Sequence, residues 1–469
     1  MTVMDQGLRA AVPHFVKGEL VEWQGGPGED HGRFITPPLD LNQLVWSRAA
    51  PPPAANVPVA EILDILEALG SWLDRDPAGA VERAFMASAG TNPLEKGVLE
   101  RSFRSLSHCF DRASLSWQVE QELGGTDVLD GWREVTTPMG RKAAIRAFPP
   151  RLVHIVAGNA PGVTAMTVAR GALTKGVHLL KLPSNDLFTA AAVLGGLATV
   201  APGHPVTRSF SAAYWRGGDA RVESMLFRPQ FFDKLVAWGG EAALRSAKQY
   251  IGPGFELVSF DPKTSISMIG REVHADDAVR REVADLAAAD ATVMDQQACV
   301  SSRFQFVEGT VEEVDAYCAA LQERLGVERF VTSACSTAPQ GEMRDEIEAL
   351  AMLEPDYRVF GRFDGRGIVV RSDEPVDFHP DGRVVNVVRV DRLDDAIGAA
   401  NVATQTVGIW PAERRRQLRD VLASQGVQRV TALGAAGSVE AGLPHDGFLP
   451  LGRFIRWVND EDGLPSAAG

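Results

Sequence analysis

One cysteine is set apart by its surroundings. Cys299 lies in Met294-Asp295-Gln296-Gln297-Ala298-Cys299-Val300-Ser301-Ser302-Arg303, after two glutamines and before two serines. A thiolate placed in a polar loop is the strongest nucleophile a side chain offers at neutral pH, so covalent attack on a carbonyl is the chemistry suggested. The alternative is a small buried hydrophobe, the usual fate of a free thiol. Cys318 reads that way, on the helical face shared by Val311, Val314, Leu321 and Leu325. With Cys109 and Cys335 distant and no C-x-x-C pair, the cysteines indicate a reducing compartment. The histidines form no H-E-x-x-H and no Cys/His cluster, so no metal site is expected. No G-x-G-x-x-G, P-loop or G-x-S-x-G motif occurs, and any dinucleotide must be held in another way.

The elements that would position such a cysteine alternate. Residues 152–156 form a short β-branched apolar run, strand-like in length. Pro161 opens a helix through Ala172, closed by Gly176, and 177–182 is a second strand. Strand, helix and strand within about thirty residues make a βαβ unit and hence a parallel sheet. The pattern continues with a helix over 186–200, a strand over 233–238, a Gly239-Gly240 turn and a helix from Glu241. A helix over 276–289 and a strand over 304–307 follow, then a capping box of Thr310 and Glu313. Nearer the N-terminus, Pro51-Pro52-Pro53 marks a stiff connection, and Ile62, Leu63, Ile65, Leu66, Leu69 and Leu73 recur at helical spacing. The first hundred residues read as an embellishment on a larger α/β fold of two doubly wound, Rossmann-like lobes.

Composition bounds the partners. A chain of 469 residues holds two or three domains. A net charge of -14 argues against nucleic acid, which needs basic patches. No signal-peptide core and no run of about twenty apolar residues occurs, so no membrane span and a cytoplasmic location are expected.

Several segments together resemble the aldehyde dehydrogenase superfamily. The Cys299 loop is similar to its cysteine loop, and Ala157-Gly158-Asn159-Ala160-Pro161 to its strand-end loop. Lys181-Leu182-Pro183-Ser184 looks like its Lys-Pro-x-Glu ribose loop, and Ala237-Trp238-Gly239-Gly240 sits where it carries Phe-Thr-Gly-Ser. The run from Pro444 through His445, Asp446 and Gly447 to Leu451, ending in Arg456-Trp457-Val458, narrows the resemblance to LuxC-type fatty-acyl-CoA reductases of bacterial luminescence operons, over about residues 110 to 465.

The resemblance implies NADPH-dependent reduction of an acyl thioester, acyl-CoA or acyl-protein, to an aldehyde through an acyl-Cys299 thioester. Asn159 would be the oxyanion donor. Gly158, Lys181, Ser184, Gly239 and Gly240 would hold the cofactor. Simpler readings stand beside these: Asn159 as a turn or helix cap, the glycines as a strand-to-helix turn, and Lys181 as a solvated strand end. His445 and His379 fit loop hydrogen bonding as well as a site role. Implied divisions are an N-terminal extension over 1–100, an NADP(H)-binding domain over 101–292, a catalytic domain over 293–430, and a C-terminal segment over 431–469 that closes the site or joins subunits. A homodimer or homotetramer and an acyl-protein synthetase partner are also implied. Two departures favour reduction. Ser259 falls where oxidising relatives carry the base that activates water, with Glu256 three residues away, and His379 falls near their second glutamate. The rivals are an oxidising aldehyde dehydrogenase using Glu256, an acyl-phosphate reductase, and a catalytically dead scaffold.

Overall fold

The computed structural model describes residues 10–462. Its first lobe is built on a seven-stranded sheet. In spatial order the strands are Glu256–Phe260, Lys234–Trp238, Arg151–Ile155, Val177–Lys181 and Phe210–Ala213, all parallel, followed by the antiparallel pair His14–Val16 and Glu19–Val21. Chain order reverses between Arg151–Ile155 and Lys234–Trp238. Such a topological switch point opens a crevice at the carboxyl ends of the strands, where doubly wound sheets bind ligands. The N-terminal residues are therefore only partly an embellishment, because two of their strands extend this sheet.

The spacing that marks the Val59–Arg75 helix works as expected. Ile62, Leu63, Leu66, Leu69 and Leu73 are buried with Val193, Leu194 and Leu197 of the Thr189–Val200 helix. Gly196 permits that approach, since a Cβ there would lie 2.6 Å from the Trp72 ring. The Thr189–Val200 helix begins three residues later than the pattern suggests. The Asp186 carboxylate accepts hydrogen bonds from Thr189 N–H (3.3 Å) and Oγ1 (2.6 Å), holding 186–188 outside the helix.

The second lobe has its own seven-stranded sheet, ordered Arg358–Gly361, Ile368–Ser372, Val384–Val390, Ser302–Glu308, Thr264–Ile269, Thr404–Trp410 and Arg429–Ala432. Only the Arg358–Gly361 edge is antiparallel. The chain crosses between sheets after Phe260. The Thr264–Ile269 strand and the Asp277–Ala291 helix, placed by sequence in the cofactor-binding part, thus pack in this lobe, with Val283 and Ala287 against Val314, Tyr317 and Leu321. The Thr310–Glu313 capping box is present, and Cys318 is fully buried in the same core.

A separate antiparallel sheet joins Arg133–Thr136, Lys142–Phe148 and the C-terminal strand Arg456–Glu461. No helix among the described residues is long and apolar enough to cross a membrane.

Candidate active site

Three loops leave the carboxyl end of the first sheet around the switch point: 157–160 after Arg151–Ile155, 182–188 after Val177–Lys181, and Gly239-Gly240 after Lys234–Trp238. The Cys299 loop enters from the second lobe, just before the Ser302–Glu308 strand. One hydrogen bond joins the two lobes here: Asn159 Nδ2 donates to the Gln297 carbonyl at 3.1 Å. Asn159 is not the cap of the helix it precedes, whose N-cap is Ala160 without a side-chain bond. Its amide is committed to the cysteine loop.

That loop is locally strained and externally braced. Met294, Asp295 and Gln296 have φ of 51°, 50° and 70°, a left-handed run that costs non-glycine residues free energy unless the surroundings impose it. Asp295 Oδ1 accepts from Arg383 Nη2 (2.6 Å), Ser333 N–H (2.8 Å) and Ser333 Oγ (3.0 Å). Gln296 donates through Nε2 to the Val384 carbonyl (2.9 Å) and accepts through Oε1 from Arg383 N–H (2.9 Å). Arg303 Nη2 donates to the Gln296 carbonyl at 2.5 Å, and Ser265 Oγ to the Cys299 carbonyl at 2.8 Å. The residues flanking the cysteine are therefore its mount. Arg383, fully buried, escaped sequence reasoning because its partner is 88 residues away.

Cys299 is exposed, while Cys318 is sealed. Its sulfur is nonetheless crowded. Burial, and after it the Asp446 carboxylate, hold the thiol above its ordinary pKa, and the Gln405 side chain pulls the other way. Asp446 and Gln405 were not singled out from sequence. Asp446-Gly447 carries φ of 51° and 80°, and His445 and Phe448 exchange backbone hydrogen bonds (2.9 and 3.1 Å), which is a type I′ turn. The Asp-Gly pair is the one sequence signal that could have found it. The turn sets Asp446 Oδ1 2.9 Å from Gln405 Nε2. Both line a cleft of ≈ 420 Å³, open mouth included, shared with Val300, Arg429, Leu443 and His445.

The other singled-out residues are spread around this centre. Gly158 is required by packing, since a Cβ would fall 1.8 Å from Asn185 Oδ1. A Cβ on Gly240 would meet open space, at the start of the Glu241–Lys248 helix. Lys181 is buried near the Tyr214 and Trp215 rings and makes only a long hydrogen bond (3.5 Å) to the Leu182 carbonyl. Burial lowers its pKa to about 8, with Glu223 opposing. It is not a solvated strand end. Ser184 is exposed on the following loop. His445 packs edge-on against the stacked Trp238 and Phe260 rings, themselves 3.6 Å apart, and burial lowers its pKa to about 4. His379 is exposed, its pKa lowered first by its surroundings and then by Arg303. Glu256 lies at the opposite, amino end of its strand, 3.3 Å from Lys234.

Comparison with known proteins agrees with this geometry. The family model for acyl-CoA reductase (LuxC) matches residues 54–457. The chain belongs to that family. It is 27% identical over 383 residues to the long-chain acyl-protein thioester reductase of Vibrio harveyi, covering 81% of this chain and 77% of that one. It is 30% identical over 371 residues to the protein of that name from Photorhabdus luminescens, covering 78% and 74%. Among solved structures, a lactaldehyde dehydrogenase superposes with TM-score 0.71 at 15% identity, covering 97% of this chain and 99% of that one. An NADP-dependent glyceraldehyde-3-phosphate dehydrogenase from Bacillus halodurans C-125 superposes with TM-score 0.69 at 14% identity, covering 98% and 100%. The fold of this LuxC-family oxidoreductase is that of the aldehyde dehydrogenase superfamily.

Proposed function

We propose that this chain reduces an acyl thioester, acyl-CoA or acyl-protein, to an aldehyde with NADPH through acyl-Cys299. The observation that carries the reading is the Asn159–Gln297 hydrogen bond, which holds an amide donor of one lobe against the nucleophile loop of the other at the switch point. Cys299 Sγ attacks the thioester carbonyl. The remaining Asn159 N–H and the Cys299 backbone N–H stabilise the oxyanion, a contribution of about 3–4 kcal/mol in comparable sites. The donor thiolate then leaves with the proton that Cys299 gave up.

A bound nicotinamide cofactor would supply the hydride that the acyl carbon needs, and Cys299 would be freed as the aldehyde leaves. Gly240 leaves room for a dinucleotide against the backbone, while a Cβ on Gly239 would meet the Ala243 Cβ at 3.3 Å. Lys181 is a buried cation without a bonded carboxylate, and Asp186 spends its carboxylate on the following helix. Both features suit the phosphate-bearing NADPH.

Reduction is favoured over oxidation because neither residue weighed for the missing base can serve. Ser259 falls at its position and carries no carboxylate, and Glu256 is ion-paired at the far end of the strand. The antiparallel sheet bearing exposed Trp132 and Trp457 is where a homodimer or homotetramer would be joined. The test is incubation with acyl-CoA in the absence of NADPH. A hydroxylamine-labile acyl group should be found on the Cys299 peptide by mass spectrometry. Label on another residue, or label persisting in Cys299→Ala, overturns the assignment.

A further inference from the structure

Cys299 faces a difficulty that its assigned role must overcome. The crowding of its sulfur and the nearby carboxylate both favour the neutral thiol, which is the weaker nucleophile. Among the groups around it, Arg303 and Arg429 are cations close enough to feel its charge. Both are already committed. Arg303 donates to the Pro380 and Gln296 carbonyls, and Arg429 to the carbonyls of Ala435 (3.0 Å), Ala436 (2.7 Å) and Ser438 (2.6 Å). His445 is held neutral by burial and by Arg170 and Arg429, which leaves it a poor proton carrier at neutral pH.

What remains is the carboxylate at the tip of the His445–Phe448 turn. The Asp446 side chain is 3 % exposed. Its Oδ1 receives one hydrogen bond, from Gln405 Nε2, and His445 Nε2 stands 3.8 Å away. Gln405 projects from the Thr404–Trp410 strand, and its Oε1 has no partner although buried in the same cleft. Burial raises the Asp446 pKa above the ordinary carboxylate value, with Gln405 and Lys263 pulling it down, Asp261 adding to the rise, and the Asp261 N–H donating to the carboxylate. The Gln405 hydrogen bond holds this carboxylate in the cleft that both residues share with Val300, the residue after Cys299.

We infer that Asp446, aimed by its type I′ turn and anchored by Gln405, takes the Cys299 thiol proton during acyl transfer and returns it to the departing thiol. The inference rests on the reading of Cys299 as the acylated nucleophile. As the Cys299 Sγ–C bond forms, the S–H proton passes to the Asp446 carboxylate. As the donor's C–S bond breaks, the same proton passes to the leaving sulfur. Charge and atoms balance, and no further reactant is needed. Gln405 is a positioning residue in this scheme, locking the carboxylate and presenting an N–H edge toward the sulfur.

The decisive experiment uses Asp446→Asn, which keeps the Oδ1 acceptor for Gln405 and removes only charge and basicity. Two rates are measured against pH on the full chain: iodoacetamide alkylation of Cys299, and single-turnover acylation by acyl-CoA. Alkylation needs only the thiolate, and loss of the neighbouring negative charge stabilises the thiolate. Its pH midpoint should move down and labelling at neutral pH should accelerate. Acyl transfer should slow at least tenfold at neutral pH, and Asp446→Glu should recover part of the loss. This opposite response is one that a merely structural role cannot produce. If both rates fall together, or acyl transfer is unchanged while wild type is acylated normally, the relay is overturned. If wild-type Cys299 takes no acyl group, the reading of the site falls and the relay with it.

Discussion

Under the proposed function, Ser184 is the residue on which cofactor choice should turn. In NAD-using relatives the resembling position carries a glutamate that accepts from the adenosine ribose 2′-hydroxyl and would repel a 2′-phosphate. Here an exposed serine offers a hydroxyl donor, three residues after the buried Lys181 ammonium. Asp186, a nearby carboxylate able to blunt this, instead accepts through Oδ1 from Thr189. A charge-assisted hydrogen bond contributes about 1.5–3 kcal/mol, so NADPH should exceed NADH at least tenfold in kcat/KM. Ser184→Glu should abolish that preference. Steady-state kinetics with both cofactors check it, and a glutamate variant that still prefers NADPH overturns this account of the loop. Cys299, Asn159 and this loop stand out in the sequence because their local context is unusual: a thiol among amides, an asparagine before a helix-opening proline, a lysine ahead of Pro183. Arg383 and Gln405 were not, because each acquires its role from a partner 88 or 41 residues away.

At the scale of elements, the cysteine loop owes its shape to the second lobe rather than to its own sequence. Three successive left-handed residues would not persist in isolation. The Arg383–Asp295 pair is 0% and 5% exposed, and removing one partner of such a pair leaves an uncompensated buried charge. Asp295→Ala should cost roughly 3–5 kcal/mol of stability and abolish acylation. Asp295→Leu combined with Arg383→Met should recover much of the stability but not the acylation, since an apolar pair cannot hold the strained loop. Thermal melts and acyl labelling on both variants separate the two effects. A double variant that regains acylation would mean that the ion pair does not shape the site. Regular elements were readable where periodicity is strong, as in Val59–Arg75 and Val311–Leu325. The assignment of Thr264–Ile269 to the second sheet was not, because an apolar run carries no mark of which sheet it joins.

Across the whole molecule, the first lobe carries a specific sensitivity to acid. His154 and His178 lie side by side at the centre of its sheet, His154 Nε2 3.1 Å from His178 Nδ1, with His178 stacked on Phe210 and His154 edge-on to Phe454. Burial lowers the pKa of His178 to about 3, and burial followed by His178 lowers His154 well below its usual value. His14, on the strand next to the edge of the same sheet, falls to about 4 through burial and then His31. A histidine whose folded pKa is depressed is protonated more readily in the unfolded chain. Its contribution is therefore complete above about pH 6.5 and is lost as pH falls toward the folded value, by about 1.4 kcal/mol per pH unit for each group. Two carboxylates act in the opposite sense. Burial raises Asp186 and Asp290 to about 6, so the folded state gains relative stability as they protonate between about pH 6 and the ordinary carboxylate value. With His445, lowered to about 4 by burial, four histidines against two carboxylates leave a net loss of stability in that window. Replacing His154 and His178 together by leucine, apolar at both ends of their shared bond, removes two of the four and avoids stranding either ring nitrogen opposite its former partner. Urea unfolding of the cofactor-free protein at pH 7.5, 6 and 5 should show wild type weakening with acid. In the double variant the slope between pH 6 and pH 5 should flatten, because two histidines now face two carboxylates. A variant with the wild-type slope would place the acid sensitivity outside this sheet.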